Sequence, residues 1–273
     1  MKKTLSFLLM LLLAACSKNE GPAGPVIPPP PGEPGDSRAI RLKEITERNL
    51  PSPFFHFEYN DSGYATKINF AQGLFMYELH YNNRRLQQMI NTRNGDLLRY
   101  EYNQGKVTDI VETSAINAAK RWRYEFTYSG EQLTQVCWYR FPETGTDSSI
   151  ERKISLRYHP DGNLSFFDDF RRTNGELAWS SRTSFSSYDN RLNVDDFQVF
   201  KQFFEHLLFL PQVRLQKNNP GLVLITSAQN DFRIDYTYEY QNAKPVRRTG
   251  SLRQTRGNGN GGITELLTTY SYY

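Results

Sequence analysis

The chain has 273 residues, and its formal net charge at pH 7 is +4. Two of its lysines, Lys2 and Lys3, precede an apolar segment at the N-terminus, so the rest of the chain is close to neutral and gives no reason to expect a nucleic-acid partner. Aromatic side chains make up 14% of the residues, a large part of the 38% that are hydrophobic, and aromatic residues favour β-strands. The composition therefore indicates an all-β protein whose core depends on Tyr, Phe and Trp.

Residues 1–15 have the pattern of a secretory signal peptide. Lys2 and Lys3 precede the run LSFLLMLLLAA, which is too short to span a bilayer because a helical span needs about 20 apolar residues. Cys16 follows directly, and the stretch LAACS resembles the lipobox of bacterial lipoproteins, whose cysteine is acylated and begins the mature chain. The resemblance implies that Cys16 carries the lipid, palmitate included. The alternative is an ordinary secretory signal in which Cys16 is incidental.

Residues 16–37 are the predicted acylated cysteine and tether. Ser17 rather than aspartate follows the cysteine, which by resemblance to Gram-negative lipoproteins implies the outer membrane, facing either the periplasm or the cell surface. Residues 21–37 (GPAGPVIPPPPGEPGDS) have too few apolar side chains to form a core, so they are predicted to be an extended tether of roughly 50 Å. The expected membrane contact is therefore made through N-terminal acylation.

Alternating strands and turns repeat through residues 38–273, the predicted folded domain. In RWRYEFTY, Trp122, Tyr124, Phe126 and Tyr128 share one face of a strand and polar residues share the other. Each such strand runs into a turn rich in Asn, Asp, Gly or Pro, which predicts a series of β-hairpins. A tyrosine ends the first strand of successive hairpins about every 20 to 30 residues. These tyrosines are Tyr59, Tyr81, Tyr102, Tyr128 and Tyr158, with Tyr188 a less regular sixth.

The turns carry a resemblance to a known repeat. YEYNQGKV, LHYNNRRL, LRYHPDGNL and FSSYDNRL each approach Tyr-x-Tyr-Asp-x-x-Gly-x-Leu, the core of the YD or Rhs-type repeat, although Asn or His often replaces Asp and some glycines are missing. Over most of residues 54–249 the chain resembles bacterial lipoproteins built from such repeats. Some YD-repeat proteins are linked to carbohydrate binding, so the resemblance implies a glycan as a ligand.

One segment breaks the period of two. In residues 195–210 (DDFQVFKQFFEHLLFL) the apolar residues follow helical spacing, with Asp195 as the N-cap and Pro211 after the end. We expect a helix that packs on the aromatic face of a sheet, with two further apolar strands as the alternative. The predicted fold is all-β with this one helical insertion. It is a single-layer, curved antiparallel meander of about 14 or 15 strands, with a partly open barrel as its variant.

Motifs for catalysis, metals and cofactors are weak. GNGNGG at 257–262 matches G-x-G-x-x-G but lies between two strand-like segments without a following helix, which indicates a hairpin loop. The pairs Asp168, Asp169 and Asp195, Asp196 are adjacent in sequence and so do not face each other in a strand. The four histidines are isolated, which predicts no metal site and no cofactor. Cys137 alternates with Tyr139 and Phe141 and is predicted to be a buried, inert thiol.

Aromatic rows are the feature that best predicts a ligand site. Exposed Tyr and Trp rows stack on sugar rings, whereas core packing is the alternative for most of these residues. The candidate binding aromatics are Tyr100, Tyr102, Trp122, Tyr124, Tyr236 and Tyr238. The candidate anion contacts are Arg247, Arg248 and Arg253, with a solvated hairpin edge as the alternative.

Three functions remain open at this point. The first is a non-enzymatic, monomeric surface lipoprotein that binds glycan or protein. The second is a structural or accessory lipoprotein of the envelope with no ligand groove. The third is a hydrolase whose active-site residues are distributed along the chain, which no local motif supports or excludes.

Overall fold

The computed structural model describes residues 40–142, 147–203, 209–259 and 261–273, and they form a closed barrel of 16 antiparallel strands. The first eight strands are β1 (Leu42–Glu47), β2 (Phe55–Tyr59), β3 (Ala65–Phe70), β4 (Phe75–Asn82), β5 (Arg85–Asn91), β6 (Leu97–Asn103), β7 (Lys106–Thr113) and β8 (Lys120–Ser129). The other eight are β9 (Gln132–Arg140), β10 (Ser149–Tyr158), β11 (Leu164–Thr173), β12 (Glu176–Leu192), β13 (Asn218–Ser227), β14 (Asp231–Gln241), β15 (Lys244–Arg256) and β16 (Ile263–Tyr272). A short 3-10 turn (Ala71–Gly73) joins β3 to β4, and helix α1 (Phe197–Phe203) lies between β12 and β13.

The predicted open meander of about 14 or 15 strands, with its partly open barrel variant, is wrong. Each strand pairs with its neighbours in sequence, and β1 also pairs with β16, from Leu42 opposite Tyr272 to Glu47 opposite Thr268. The sequence LKEITE of β1 precedes the first repeat and alternates weakly, so the repeat pattern does not predict this strand. An open sheet would expose two rows of unpaired backbone N–H and C=O groups, and the pairing of β1 with β16 removes both rows.

One hydrogen bond recurs around the end of the barrel that carries the tight hairpin turns, here called the turn end. Tyr128 Oη donates to Val107 O at 2.9 Å, and Tyr158 Oη donates to Leu133 O at 2.8 Å. In each case the tyrosine at the end of one hairpin's first strand reaches a carbonyl near the start of the preceding hairpin's second strand. The same bond is made by Tyr59 to Leu42 O, Tyr102 to Leu86 O, Tyr188 to Leu164 O, Tyr238 to Pro220 O and Tyr272 to Pro245 O. We call these seven tyrosines the tyrosine ladder.

Tyr81 occupies a ladder position but makes no ladder bond. Its hydroxyl is buried and has no hydrogen-bond partner among the described residues, and its ring packs against Tyr64 with the centroids 4.8 Å apart. The residue at the start of the neighbouring strand is Ala65, where other hairpins have a larger side chain. The repeat is therefore imperfect in structure as well as in sequence.

A β-bulge accompanies four of the seven ladder tyrosines and two other tyrosines near the hairpin turns. The register shifts between Glu101 and Tyr102, so that Thr108 on the partner strand has no residue opposite it. The next hairpin repeats this shift between Thr127 and Tyr128. The same shift occurs before Tyr59, Tyr81, Tyr158 and Tyr240. Because a bulge bends and twists its strand, the repeat that positions each tyrosine also supplies the curvature that the barrel needs to close.

The described parts of the segment between β12 and β13, residues 193–203 and 209–217, lie in the lumen, and we call them the plug. The ring of Phe197 lies 4.8 Å from that of Phe57 in β2. Tyr100 Oη in β6 donates to Phe209 O at 2.6 Å, and Arg152 in β10 donates to Gln202 O at 2.6 Å. These strands lie on different sides of the barrel, so the plug must lie inside it.

Helix α1 begins within the predicted span 195–210 and lies inside the barrel rather than against an open face. The backbone N–H of Gln198 donates to Asp195 Oδ1 at 3.2 Å, which is the bond expected of an N-cap. Residues 204–208 lie outside the described residues. No helix among the residues that the structure describes is long and apolar enough to cross a membrane.

The two faces of the barrel wall differ in polarity. Within β8, Tyr124 and Phe126 are buried toward the lumen, while Arg123 and Glu125 form an ion pair on the outer face. Ion pairs Asp168 with Arg182 and Arg233 with Asp235 cover the outer face elsewhere. Apolar side chains of the wall therefore pack toward the plug, and these ion pairs lie on the outer face, although a few buried charges such as Arg152 and Asp169 pair inside the barrel.

Candidate functional site

Two of the predicted binding aromatics are core residues. Tyr100 is 3% exposed and Tyr124 is 2% exposed, and both point into the lumen. The Tyr124 hydroxyl donates to Glu112 Oε2 at 3.1 Å. Burial raises the pKa of Tyr100 well above its usual value. Neither ring offers a face to a ligand in this structure.

Three more of these aromatics are half-buried at the turn end and the adjoining wall. Tyr102 and Tyr238 belong to the tyrosine ladder, and burial raises the pKa of Tyr102 to about 12. The guanidinium of Arg248 lies 4.8 Å from the ring centroid of Tyr236. Each of these rings thus has a partner from the barrel, and they do not form a continuous open row.

The three predicted anion contacts do not converge. Arg248 faces the lumen, where it lies 3.6 Å from Asp195 and donates to Thr268 Oγ1 at 3.0 Å. Arg247 and Arg253 are exposed on the outer face, and Arg247 lies 3.3 Å from Glu239. Neighbouring residues of a strand point to opposite faces, which separates Arg248 from the other two.

Trp122 differs from the other candidate aromatics because it lines an open pocket. The pocket has a volume of about 580 Å³ and lies at the end of the barrel opposite the tyrosine ladder, here called the loop end. Its lining includes Ser114, Lys120, Arg121, Trp122, Arg140 and Phe141, and we call it the Trp122 pocket. A volume of this size is within the range of pockets that bind small molecules.

Strand pairing explains why these residues meet. Trp122 of β8 lies directly opposite Arg140 of β9, and the backbone N–H of Phe141 donates to Arg121 O at 3.0 Å. Trp122 and Arg140 occupy the last positions of the inner face, above the buried Trp138, whose ring meets Trp122 edge-on at 5.9 Å. The pocket therefore lies at the loop end of the lumen, with the buried ring of Trp138 beneath it.

One cation of the pocket is neutralised and fixed. Arg121 Nη1 donates to Asp96 Oδ2 at 2.7 Å, and Arg121 Nη2 donates to Ser114 Oγ at 3.0 Å. Asp96 also accepts the backbone N–H of Ala115 through Oδ1, so the loop 114–119 is tied to this ion pair. Arg121 and Asp96 thus form one fixed side of the pocket, where their two charges balance.

The other two cations of the pocket, Arg140 and Lys120, contact aromatic rings instead of a carboxylate. Arg140 lies over the ring of Trp122 at 6.0 Å, and Lys120 lies over the ring of Phe141 at 5.7 Å. Among the described residues, which do not include 143–146, no carboxylate forms an ion pair with either of them. Glu112 is the cross-strand neighbour of Trp122 but is buried below it and accepts a hydrogen bond from Tyr124. The described rim is therefore cationic and aromatic.

A second, smaller pocket of about 190 Å³ lies at the turn end, beside the plug residues Pro211 and Gln212. Its cation, Lys106, pairs with Glu131 at 2.8 Å and also donates to Gly130 O. Since its charge is balanced and its volume is about a third of the other, this pocket is the weaker candidate.

The paired aspartates are structural in this arrangement. Asp168 faces outward and binds Arg182 through two bonds, at 2.9 and 2.7 Å. Asp169 faces inward and binds Arg152 at 2.8 Å. Asp195 caps α1, and Asp196 accepts the backbone N–H groups of Leu215 and Gln216. Burial raises the pKa of Asp195 to about 6 and that of Asp196 to about 7.

Other predicted features have the following places. Cys137 is buried on the outer face between neighbouring strands, and burial raises its pKa. Residues 257–259 and 261–262 connect β15 to β16, so no helix follows the glycine motif. The described residues contain no group of three or more His, Cys, Asp or Glu that could hold a metal ion. Cys16, the tether and His206 lie outside the described residues.

This closed barrel is similar to a barrel among the solved structures. Its fold resembles that of a porin-like protein. That protein, from Bacteroides vulgatus, matches with a TM-score of 0.55 and 13% sequence identity, over 86% of this chain and 99% of that chain. At this identity the likeness shows the barrel fold alone.

A second solved structure, the complex of TcdB2, TccC3 and Cdc42, matches more weakly. The TM-score is 0.32 at 16% identity, over 79% of this chain and 12% of that chain, which supports no further argument. No family model matches the chain, and no curated protein does.

Sequence reasoning named Trp122 but missed the residues around it. The alternation of RWRYEFTY predicts only that Arg121 lies on the polar face, and nothing in the local pattern indicates where a strand leaves the filled part of the lumen, so Lys120 and Arg140 are not predicted as site residues. The signal that could identify them is Lys120 directly before RWRYEFTY and Arg140 at the end of its partner strand QVCWYR. In a hairpin these two stretches must lie side by side.

Proposed function

We propose that this chain is a non-enzymatic barrel of the cell envelope, anchored by a lipid on Cys16, that binds glycans in the Trp122 pocket. The observation that carries the proposal is the combination of a lumen filled by a hydrophobic core with an open pocket of aromatic and cationic side chains at one end. Trp is the aromatic residue best suited to stack on a sugar ring, and the pocket is set on paired strands rather than on loops alone.

The polarity of the wall argues against a pore. A barrel that spans a membrane needs an outward apolar band about 25 Å tall, and each Arg or Lys on that band costs about 2–4 kcal/mol at the midplane. Here the middles of the strands carry outward charges such as Arg123, Glu125 and Arg233. The lumen that would conduct ions holds Phe197, Phe200 and Leu210 of the plug instead. We therefore place the barrel beside the bilayer rather than in it.

The pore alternative can be tested by reconstitution. The purified protein should give no stepwise conductance in planar lipid bilayers, whereas a porin of known conductance in the same bilayers gives clear steps. Reproducible steps from the purified protein would overturn the assignment to a non-channel barrel.

Glycan binding can be tested with one substitution and a matched control. The detergent-purified, full-length protein and its Trp122→Ala variant are applied to a broad glycan array. The control is Trp179→Ala, because Trp179 is 42% exposed on the outer face of β12 and belongs to another part of the barrel. We expect binding to at least one glycan class that Trp122→Ala loses and Trp179→Ala keeps. Binding to no glycan would count against this function.

The anchor is tested separately. Radioactive palmitate should label the wild-type chain and leave Cys16→Ser unlabelled, and the variant should leave the membrane fraction. A wild-type chain that takes up no label would favour the ordinary secretory signal, without bearing on the glycan site.

The burial of Tyr100 and Tyr124 favours a second candidate, a structural envelope protein with no ligand. In that case the aromatic rows serve only to fill the barrel. A protein that binds no glycan, and whose Trp122 resists modification by N-bromosuccinimide to the same degree as the buried Trp138, would support this candidate.

A further inference from the structure

We infer that the Trp122 pocket is selective for acidic saccharides, whose carboxylate or sulfate is held by Lys120 and Arg140 while the aromatic rings contact the sugar. The inference rests on the proposed function and specifies its ligand class. It goes beyond a generic glycan site because it assigns roles to two cations that the aromatic pattern alone did not identify.

The charge balance of the pocket is the first support. Of the three cations in its lining, only Arg121 has a carboxylate partner among the described residues, Asp96 at 2.7 Å. The guanidinium of Arg140 offers five N–H donors and the ammonium of Lys120 offers three, and neither group can accept a hydrogen bond. A neutral sugar would bring no group that pairs with either charge. A saccharide carboxylate or sulfate would form charge-assisted hydrogen bonds with both, which are about twice as strong as neutral ones.

The positions of the two cations are the second support. Arg140 stands over Trp122, and Lys120 stands over Phe141, each within about 6 Å of a ring centroid as cation–π contacts require. These contacts hold two long side chains in place before a ligand arrives, which reduces the entropy lost on binding. Each cation is thus placed beside an aromatic ring, the arrangement needed to bind an acidic group and a sugar face together.

The rigidity of the wall is the third support. Arg121 is tied to Asp96 and Ser114, and Asp96 also holds the backbone of Ala115. The loop 114–119 is therefore fixed to the barrel through a buried carboxylate rather than through the two remaining cations. A ligand anion can neutralise Lys120 and Arg140 without breaking any ion pair of the described structure.

The test is calorimetric titration of the full-length protein with matched acidic and neutral saccharides. Trigalacturonate and galactotriose form one pair, which tests a carboxylate. Dextran sulfate and dextran of equal length form the other, which tests a sulfate. We expect at least one acidic member to bind tenfold or more tightly than its neutral partner in 50 mM salt. We expect the preference to shrink in 500 mM salt, because screening weakens exposed charge pairs.

Substitutions assign the preference to the pocket. Arg140→Gln and Lys120→Gln should each lower the affinity for the acidic saccharide about five- to tenfold and leave the affinity for the neutral one unchanged. The control is Arg253→Gln, which removes an exposed arginine of the outer face. Loss of acidic binding in Arg253→Gln alone would move the anion site to the outer arginines and overturn the inference. Far-UV circular dichroism checks that each variant keeps its fold.

The outcomes separate this inference from the function on which it rests. If acidic and neutral saccharides bind equally and only Trp122→Ala abolishes binding, the glycan function stands and the acidic selectivity is wrong. If the protein binds polyglutamate but none of the four saccharides and no glycan of the array, the pocket recognises an acidic polypeptide, and both are wrong. If acidic binding depends on Arg140 and Lys120, both are supported.

Discussion

The turn end and the loop end of this barrel are built from the same strands but are organised differently. At the turn end, the hydroxyl of a ladder tyrosine binds the preceding hairpin, and the two parts of the plug are joined by the backbone N–H groups of Leu215 and Gln216, which donate to Asp196. At the loop end the connections differ in length and sequence, and the Trp122 pocket opens between two of them. The difference teaches that the repeat specifies the stability of one end, which leaves the other end free to vary and to carry a site.

The largest effect on the free energy of unfolding is expected from a substitution in the plug. Phe197→Ala removes a ring that packs on Phe55, Phe57 and Phe209, and it leaves a cavity in the middle of the lumen. We expect a loss of about 3–5 kcal/mol in the free energy of unfolding, measured with a chemical denaturant. A loss below about 1 kcal/mol would mean that the plug contributes little and that the barrel closes without it.

The second effect concerns the buried carboxylate at the base of the plug. Asp196→Asn places an amide donor against backbone N–H groups that now bind a carboxylate, so we expect a loss of about 1–3 kcal/mol. Burial raises the pKa of Asp196 to about 7, above the value of about 4 in an unfolded chain. The native state therefore binds more protons than the unfolded state, and stability should fall as the pH rises through 7.

The pH dependence is measured as the free energy of unfolding at pH 5 and at pH 8. The wild-type protein should be less stable at pH 8, and the difference should shrink in Asp196→Asn. Asp195, whose pKa is raised to about 6, should supply the part of the decrease that remains. A wild-type protein that gains stability between pH 5 and pH 8 would contradict this prediction.

The third effect measures one bond of the tyrosine ladder. Tyr158→Phe removes the hydroxyl that donates to Leu133 O, so we expect a loss of about 0.5–1.5 kcal/mol. The matched control is Tyr81→Phe, since the hydroxyl of Tyr81 has no partner among the described residues. It should cost nothing or stabilise slightly. Equal losses in both variants would show that the ladder bonds do not stabilise the turn end.

The smallest effect on stability is expected at the loop end. Arg140→Gln should change the free energy of unfolding by less than about 0.5 kcal/mol, because Arg140 is exposed and has no ion-pair partner among the described residues. The same substitution should reduce acidic saccharide binding, as described above. A large loss of stability in this variant would mean that the pocket residues hold the barrel together, and the division between the two ends would not hold.

Local patterns predicted the hairpins well. The alternation in RWRYEFTY places Tyr124 and Phe126 on the inner face, and the tyrosines at the ends of the first strands mark the turn end. Closure was not predictable in this way, because β1 and β16 meet from opposite ends of the domain and β1 has little alternation. The position of the plug was not predictable either, since helical spacing indicates a helix but does not indicate that a closed barrel surrounds it.

The pocket was predictable only in part. An aromatic residue such as Trp122 is visible in the sequence, but its exposure depends on how far the plug extends along the lumen. Tyr100 and Tyr124 have the same pattern and are covered, whereas Trp122 lies beyond the filled region. The pairing of Arg140 with Trp122 follows from the register of β8 and β9, which turn length and bulges set together.

The seam between the first and last strands has a consequence for how the protein reaches its native state. Thr46 in β1 hydrogen-bonds Thr269 in β16, and Tyr273 Oη donates to Phe57 O at 2.9 Å. Until β16 has folded, β1 therefore has one unpaired edge, because its other edge pairs with β2. Contacts between distant parts of a chain form slowly, and an unpaired strand edge promotes aggregation in the interval. Docking of β16 on β1 removes that edge, so a chaperone that binds unpaired strands should matter most before this one contact has formed.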